Sequence, residues 1–303
     1  METQKSLSPL ATSLILLLGL IWGGTFPAAR VVLQELGPLT IVGHRTFWAA
    51  LLLWGFVALR RVQIPRSPRI WVALGVMGVL NNVMPFSLTF WAQQHIEASL
   101  TAILNGATAI FGVLMAAIFL SDERLTLRKL AGIATGFLGV ATVIGLEHLR
   151  AFDLRSAGQL AVLGAALCYA LAGVWARKHL AEVPLSVAAA GMLTAAACVM
   201  LPTAWMTEGA PTFVLSPTTL ALLAYIAIPG TGLAFLLYYK VLSLAGSGNL
   251  LLVTLVVPVV AIILSTLFLG ETLTPNAFAG FGLLALGLAI LDGRILRRLA
   301  LRV

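Results

Sequence analysis

Apolar residues follow one another in long stretches along the whole chain, separated by short segments with charged residues, proline and glycine. Each stretch approaches the roughly 20 residues that an α-helix needs to cross a hydrocarbon layer about 30 Å thick. The pattern predicts ten membrane-spanning helices, over residues 10–29, 39–59, 70–91, 98–120, 128–146, 157–177, 186–206, 218–240, 248–269 and 275–293. Strands of a membrane barrel would instead alternate apolar and polar residues over about ten positions, which disfavours that class.

The composition supports an all-α integral membrane protein. Hydrophobic residues make up 60% of the 303 residues, charged residues 10%, and the mean hydropathy is +1.02, whereas a soluble domain carries about 25% charged residues. The net charge of +8 comes from basic residues between the apolar stretches, so it indicates membrane topology rather than a nucleic-acid-binding face. We therefore expect a lipid bilayer and a small-molecule substrate as partners, and no nucleic acid.

Basic residues fall mainly on one side of the predicted membrane. With the amino terminus inside the cell, fifteen of the lysine and arginine residues lie in inner segments and four in outer ones. This distribution follows the positive-inside rule and predicts that both termini are cytoplasmic. The apolar run that follows Lys5 is similar to a secretory signal, but the spans after it make it a first transmembrane helix.

A four-residue pattern occurs in both halves of the chain. Residues 123–126 (Glu-Arg-Leu-Thr) recur at 271–274 (Glu-Thr-Leu-Thr), and glycines in the following spans recur in the same register. The chain is thus predicted to contain two repeats, residues 1–147 and 148–303. Each holds five helices, an odd number, so the second repeat must enter the membrane from the opposite side. Inverted repeats are typical of secondary transporters, which bind substrate at the repeat interface near the bilayer midplane.

The repeated residues resemble the drug/metabolite transporter superfamily, in its ten-helix EamA family, over nearly the whole chain. The matching positions are Trp22, Gly23, Phe26, Arg30, Arg45, Ala98, Ser99, Glu123, Gly132, Gly139, Glu271, Gly280 and Gly287. The proline usual in the fourth helix of each repeat is present as Pro258, whereas Ala109 stands at the first-half position. The resemblance implies export or facilitated passage of metabolites across a bacterial inner membrane, with aromatic and neutral amino-acid exporters most similar and multidrug export as an alternative.

Polar and aromatic residues near the middle of the spans are the candidates for lining a substrate cavity. They are Trp22, Phe26, Asn81, Asn82, Phe86, Thr101, Asn105, Tyr169, Pro229 and Gly230. A polar side chain that faced lipid would be costly, so these side chains should face the protein interior. The alternative interpretation is helix packing alone, because small and polar residues let helices approach and hydrogen-bond one another.

The third and eighth predicted helices expose polar groups in different ways at equivalent positions. Asn81 and Asn82 should point about 100° apart, so at least one should face water or substrate, and Phe86 continues the Asn82 face. Pro229 and Gly230 occupy the equivalent place in the eighth helix. They predict a break in the backbone hydrogen bonds, whose freed carbonyls would line a cavity or be satisfied by a neighbour, with a simple kink of the helix as the alternative.

Two further groups are predicted to share a surface. Trp22 and its repeat partner Tyr169 lie too deep for an interfacial aromatic belt, and are expected to face one cavity suited to an apolar or aromatic side chain. On the fourth helix, a spacing of i, i+4, i+7 and i+11 places four residues on one face: Thr101, Asn105, Thr108 and Gly112.

Arg45 lies about 9 Å inside the second helix. Its guanidinium is expected to reach outward to the interface or to pair with Glu35, with attraction of a substrate carboxylate as the alternative. Gly132, Gly136 and Gly139 predict a closely packed face on the fifth helix.

Several mechanisms are disfavoured by what the sequence lacks. All eleven aspartate and glutamate residues fall at span ends or in loops, which favours facilitated transport with weak or no ion coupling over an intramembrane carboxylate relay. No phosphate-binding loop is present, and the four histidines lack metal-ligand spacing, so we expect no ATP hydrolysis, no metal, no cofactor and no catalytic residues. A channel or structural membrane subunit is the alternative from a different functional class.

Overall fold

The computed structural model describes residues 8–121, 126–144, 154–210, 214–250 and 252–292, which form helices joined by short connections. The helices are α1 (Pro9–Val32), α2 (Pro38–Leu59), α3 (Pro68–Ala92), α4 (Ala98–Phe119), α5 (Leu127–Ile144), α6 (Leu154–His179), α7 (Leu185–Glu208), α8 (residues 217–250), α9 (Val253–Leu269) and α10 (Pro275–Asp292). Among the described residues, seven helices are long and apolar enough to cross a membrane, and two shorter apolar helices accompany them. The predicted all-helical membrane class is confirmed.

Helix starts follow local sequence signals. Proline occupies the first position of five helices: Pro9, Pro38, Pro68, Pro217 and Pro275. Proline suits this position because its missing N–H would have no partner within the helix.

The predicted end of the eighth helix at residue 240 is wrong. α8 continues to Leu250, and the side chains of Val241, Ala245 and Leu250 are buried in a cluster with α1 and α9. Burial of these side chains outweighs the low helix propensity of the glycine and serine residues in this segment. The other predicted spans agree with the described helices to within a few residues.

Glycines on α5 and α10 allow the two helix backbones to come close together. A Cβ atom built on Gly139 would lie 2.6 Å from the Leu284 nitrogen and 2.8 Å from the Gly280 oxygen, and one on Gly132 would lie 2.9 Å from the Gly287 oxygen. The predicted close-packing face of the fifth helix is confirmed, and its partner is α10. The remaining helices pack mainly as α2 with α7, α1 with α9, and α6 with α3 and α4.

One end of the bundle, here called the capped end, is where α2, α4, α6 and α8 begin and α1, α7 and α9 end. Glu271, after α9, accepts hydrogen bonds there from the backbone N–H groups of Ala98 (2.8 Å) and Ser99 (3.0 Å) and from the Ser99 hydroxyl. Both amides belong to the first turn of α4, where no carbonyl within the helix is available and the helix dipole favours a negative charge. Glu123, the repeat equivalent of Glu271, lies outside the described residues.

Two more carboxylates bind helix starts at the capped end. Glu208, the last residue of α7, accepts hydrogen bonds from the amides of Leu39 (2.9 Å) and Thr40 (2.8 Å) in α2. Glu35, after α1, accepts one from the amide of Ser216 (2.8 Å), the residue that precedes α8. Each contact joins helices that are distant in sequence, so the capped end is held together by charge-assisted hydrogen bonds.

Replacing Gly139 by alanine is expected to lower the free energy of unfolding by about 1–3 kcal/mol, because the new methyl group would overlap backbone atoms of α10. Gly282→Ala is the matched control, since no atom lies within 4 Å of the Cβ position there. Thermal unfolding of the purified protein in detergent measures both effects. Equal midpoints for the two variants would contradict the packing described.

Glu35 makes the stability of the capped end depend on pH. Hydrogen bonds from the Ser216 side chain and backbone, and then from Thr219, lower the pKa of Glu35 from its usual 4.5. A carboxyl group with a lowered pKa stabilises the folded state above its unfolded-state pKa, and this stability is lost as the pH falls through the folded-state pKa. Glu35→Gln should therefore unfold at a lower temperature than the native protein at pH 7, and the difference should shrink below about pH 4.5.

Unfolding scans at several pH values test this expectation. Glu182→Gln is the control, because Glu182 is exposed in the α6–α7 connection. A difference between native protein and Glu35→Gln that stayed constant down to about pH 3 would show that the carboxylate does not act as an ionised cap.

Candidate functional site

α3 and α8 each contain one π-helical turn, at Val79–Val83 and Ile228–Leu233. The predicted break at Pro229 and Gly230 is therefore confirmed as a widened turn. The equivalent turn in α3 was not predicted, although Pro85 signals it: this residue has no N–H to donate to the carbonyl of Asn81, four residues earlier. π turns inside α-helices frequently lie at functional sites.

A buried arginine lies beside the π turn of α8. Arg45 is 8% exposed, and its Nε donates a hydrogen bond of 2.7 Å to the hydroxyl oxygen of Thr231. The Thr231 hydroxyl in turn donates to the carbonyl of Ile226, at 2.9 Å. The guanidinium carbon lies 3.8 Å from the centre of the Phe86 ring, within the range of a cation–π interaction.

Two more aromatic rings complete this group. Phe90 lies 5.7 Å from the guanidinium carbon and stacks on Phe86 at 6.4 Å. Tyr169 packs edge-on against Phe86, also at 6.4 Å. The group, here called the arginine–aromatic cluster, consists of Arg45, Phe86, Phe90, Tyr169 and Thr231. It joins α2 and α3 to α6 and α8.

The expectation that Arg45 reaches outward or pairs with Glu35 is wrong. Glu35 binds the start of α8, and Arg45 turns inward because Thr231 and the Phe86 ring offer it a hydrogen-bond acceptor and a negative ring face. Within the described residues, no carboxylate forms an ion pair with Arg45. The position of Arg45 inside a predicted span is the signal in the sequence that points to the candidate site.

The two asparagines of the α3 π turn have different surroundings. Asn82 is fully buried, and neither its amide nitrogen nor its amide oxygen has a hydrogen-bond partner among the described residues. Asn81 is half-buried, with its amide nitrogen 3.7 Å from the sulfur of Met192. An unpaired buried amide is costly, so Asn82 is not explained by helix packing alone.

The predicted aromatic pair, Trp22 and Tyr169, makes no ring contact in the described part of the chain, and a cavity shared by the two rings stays a prediction. The ring of Trp22 packs against Tyr238 at 6.0 Å, and Trp22 and Phe26 belong to a cluster formed by α1, α8 and α9. Tyr169 belongs to the arginine–aromatic cluster instead. Of this pair, Tyr169 lies beside the buried charge and Trp22 does not.

The four residues predicted to share one face of the fourth helix have different surroundings, and their common face stays a prediction. Gly106 keeps a right-handed helical backbone (φ −59°, ψ −21°), and its N–H donates to the Ile103 carbonyl three residues earlier, which tightens this one turn. Thr101 is fully buried, and its hydroxyl donates to the carbonyl of Glu97 in the preceding turn, at 2.9 Å. Asn105 is half-buried and ends the first segment of the helix.

Gly230 allows α8 to pack closely on α1. A Cβ atom on Gly230 would lie 2.7 Å from the Thr25 methyl carbon and 3.1 Å from the carbonyl oxygen of Tyr225. Gly230 therefore has a packing role, whereas the neighbouring Pro229 is half-buried.

A cavity of about 140 Å³ lies at the capped end, away from the arginine–aromatic cluster. Its lining includes the ion pair of Glu97 and Arg155, whose charged atoms are 3.0 Å apart, and the buried Gln159. The arginine–aromatic cluster, rather than this cavity, is the candidate site, because it combines a desolvated charge and aromatic rings with the π turn of α8. No group of histidine, cysteine, aspartate and glutamate side chains in the described residues could hold a metal ion.

Comparison with known proteins gives consistent matches. The sequence profile of the EamA-like transporter family matches residues 9–145 and 156–291, which confirms the resemblance seen in the sequence. A "Probable amino-acid metabolite efflux pump" of Salmonella typhimurium is 29% identical over 286 residues, covering 91% of this chain and 93% of the relative. The "Uncharacterized transporter YoaV" of Bacillus subtilis is 24% identical over 269 residues, covering 89% and 92%.

A solved crystal structure shares the fold. It has a TM-score of 0.67 and 21% sequence identity, and the match covers 94% of this chain and 99% of that chain.

Asn82→Leu is expected to raise the thermal midpoint, by an amount equivalent to about 1–3 kcal/mol, because it removes a buried amide that has no partner. Asn81→Leu is the matched control, since the half-buried Asn81 amide contacts the Met192 sulfur, and it should change the midpoint less. Thermal unfolding in detergent measures both variants. A large loss of stability in Asn82→Leu would mean that the amide is satisfied in the native protein.

Proposed function

We propose, since this chain belongs to the EamA-like transporter family, that it exports small metabolites, most of all aromatic and neutral amino acids, across the bacterial inner membrane. Family membership and the apolar helices make the protein a membrane transporter. The choice of amino acids as cargo is supported by the name of the efflux pump in Salmonella typhimurium.

The observation that carries the proposal is the arginine–aromatic cluster. Its rings offer the surface that an aromatic or apolar side chain needs for dispersion and stacking contacts. Its polar groups lie beside the widened turn of α8, and the widened turn of α3 precedes Phe86. The cluster also draws on α2 and α3 from the first predicted repeat and on α6 and α8 from the second, as expected of a site at a repeat interface.

The proposed mechanism is alternating access by two inverted repeats, residues 1–147 and 148–303. The ten helices all cross the membrane in this arrangement, both termini are cytoplasmic, and the capped end faces outward. The glycine-mediated contact of α5 with α10 stays in place while the other helices rearrange around the cluster. Within the described residues, the carboxylates that form hydrogen bonds or ion pairs lie at helix ends, which supports facilitated transport without an intramembrane proton relay.

Counterflow in liposomes tests this function. Vesicles that contain the purified protein and unlabelled phenylalanine should take up labelled phenylalanine saturably, at a rate that does not change with a proton gradient.

Phe86→Leu should raise the half-saturating concentration about two- to tenfold, because it removes the ring that contacts Arg45 and Tyr169. Phe268→Leu is the control, since that ring is 77% exposed on α9.

The alternatives give different results in the same assay. A channel would pass the solute without acceleration by internal substrate, and a structural subunit would give no flux. Absence of saturable uptake for aromatic, aliphatic, acidic and basic amino acids would overturn the proposed amino-acid cargo. Uptake that required a proton gradient would overturn the uncoupled mechanism.

A further inference from the structure

We infer that Arg45 binds a carboxylate of the cargo, so that this transporter selects solutes that combine a carboxylate with an apolar or aromatic side chain. The inference rests on the proposed function and names the chemical group that the site recognises. It also excludes cationic solutes that lack a carboxylate.

The first argument is the unpaired charge. Arg45 is 8% exposed and lies well inside α2, and within the described residues its guanidinium has no carboxylate partner. Charged side chains inside membrane spans are rare and almost always face a partner or a water-filled cavity, because an unpaired desolvated charge is costly. A cargo carboxylate would supply the missing partner.

The second argument is the set of donors that stays available. A guanidinium group has five N–H donors in one plane. The Nε of Arg45 uses one of them on Thr231, and its two Nη atoms form no hydrogen bond with the described residues. Their N–H groups can donate to the two oxygens of a carboxylate in parallel, the arrangement that arginine makes best.

The third argument is the orientation of the guanidinium. The hydrogen bond to Thr231 fixes one edge, and the Phe86 ring lies 3.8 Å from the central carbon, against one face. These two contacts hold the guanidinium in one orientation before any anion binds, so binding an anion costs less side-chain entropy. Phe86, Phe90 and Tyr169 place aromatic surface beside that anion.

The inference is tested with matched ligands on the purified full-length protein. 3-Phenylpropionate carries the carboxylate and the ring, 3-phenylpropionamide is its neutral isostere, and 3-phenylpropylamine carries the opposite charge. Microscale binding titrations in detergent should show that the native protein binds the acid at least about tenfold more tightly than the amide, and the amine more weakly still.

Arg45 variants identify the group responsible. Arg45→Met should abolish the preference for the acid over the amide, and Arg45→Lys should retain a smaller preference, because lysine keeps the charge without the planar pair of donors. The matched control is Arg30→Met: Arg30 is half-buried in α1, and its Nη1 lies 3.5 Å from the Ile96 carbonyl oxygen. This variant should keep the full preference. If Arg45→Met does not fold, Arg45→Lys provides the test: a smaller preference for the acid supports the inference, and an unchanged preference overturns it.

Three results would overturn the inference: equal binding of acid and amide by the native protein, an unchanged preference in the Arg45 variants, or no binding of the acid. The counterflow assay separates these from failure of the proposed function. Saturable counterflow with no preference for carboxylates would support the proposed transport function and contradict the role of Arg45. Selective binding of the acid with no flux of any carboxylate would support the anion site at Arg45 and contradict the proposed transport function.

Discussion

Backbone N–H and C=O groups find no water inside a hydrocarbon layer, and the helical architecture of this protein depends on that constraint. It explains why the described residues form helices almost without interruption. It also gives meaning to the few places where the helical hydrogen-bond pattern changes: the π turns of α3 and α8, the turn at Gly106, and the first turns of α2, α4 and α8. At each of these places the backbone groups without a helical partner bind a neighbouring residue, a proline removes the N–H that would need a partner, or the turn lies beside the candidate site.

The π turn of α8 shows how such a departure creates a site. Pro229 removes one backbone donor, Gly230 lets the widened segment approach α1, and Thr231 presents its hydroxyl to Arg45. Three adjacent residues thus have three separate physical roles. The guanidinium of Arg45 and the unpaired Asn82 amide in α3 are buried polar groups that the packing of apolar helices does not require.

Much of the fold could be predicted from the sequence, because hydropathy and proline positions determine where helices start and how long they are. The glycine face of α5 could also be predicted, because small residues at helical spacing leave room for a neighbouring backbone. The end of α8 could not, because burial of Val241 and Ala245 depends on packing against α1 and α9.

The site was harder to predict, because a side chain's direction depends on what its neighbours offer. Arg45 turns inward toward Thr231, a residue 186 positions away in the chain. Trp22 and Tyr169 are equivalent in the repeat, yet they pack against different partners. On α4, Thr101 is fully buried and Asn105 only half-buried, although regular spacing places both on one face.

Each carboxylate cap at the capped end joins one of the helices α1–α5 to one of α6–α10 or to the segments beside them. Water can replace these hydrogen bonds when the two sets of helices separate, because both the carboxylates and the freed N–H groups become hydrated. No solvent can replace the close contact of the α5 and α10 backbones in the same way. The interface between the two sets of helices therefore combines two kinds of contact: hydrogen bonds at the capped end that water can replace, and a close backbone contact of α5 with α10 that it cannot.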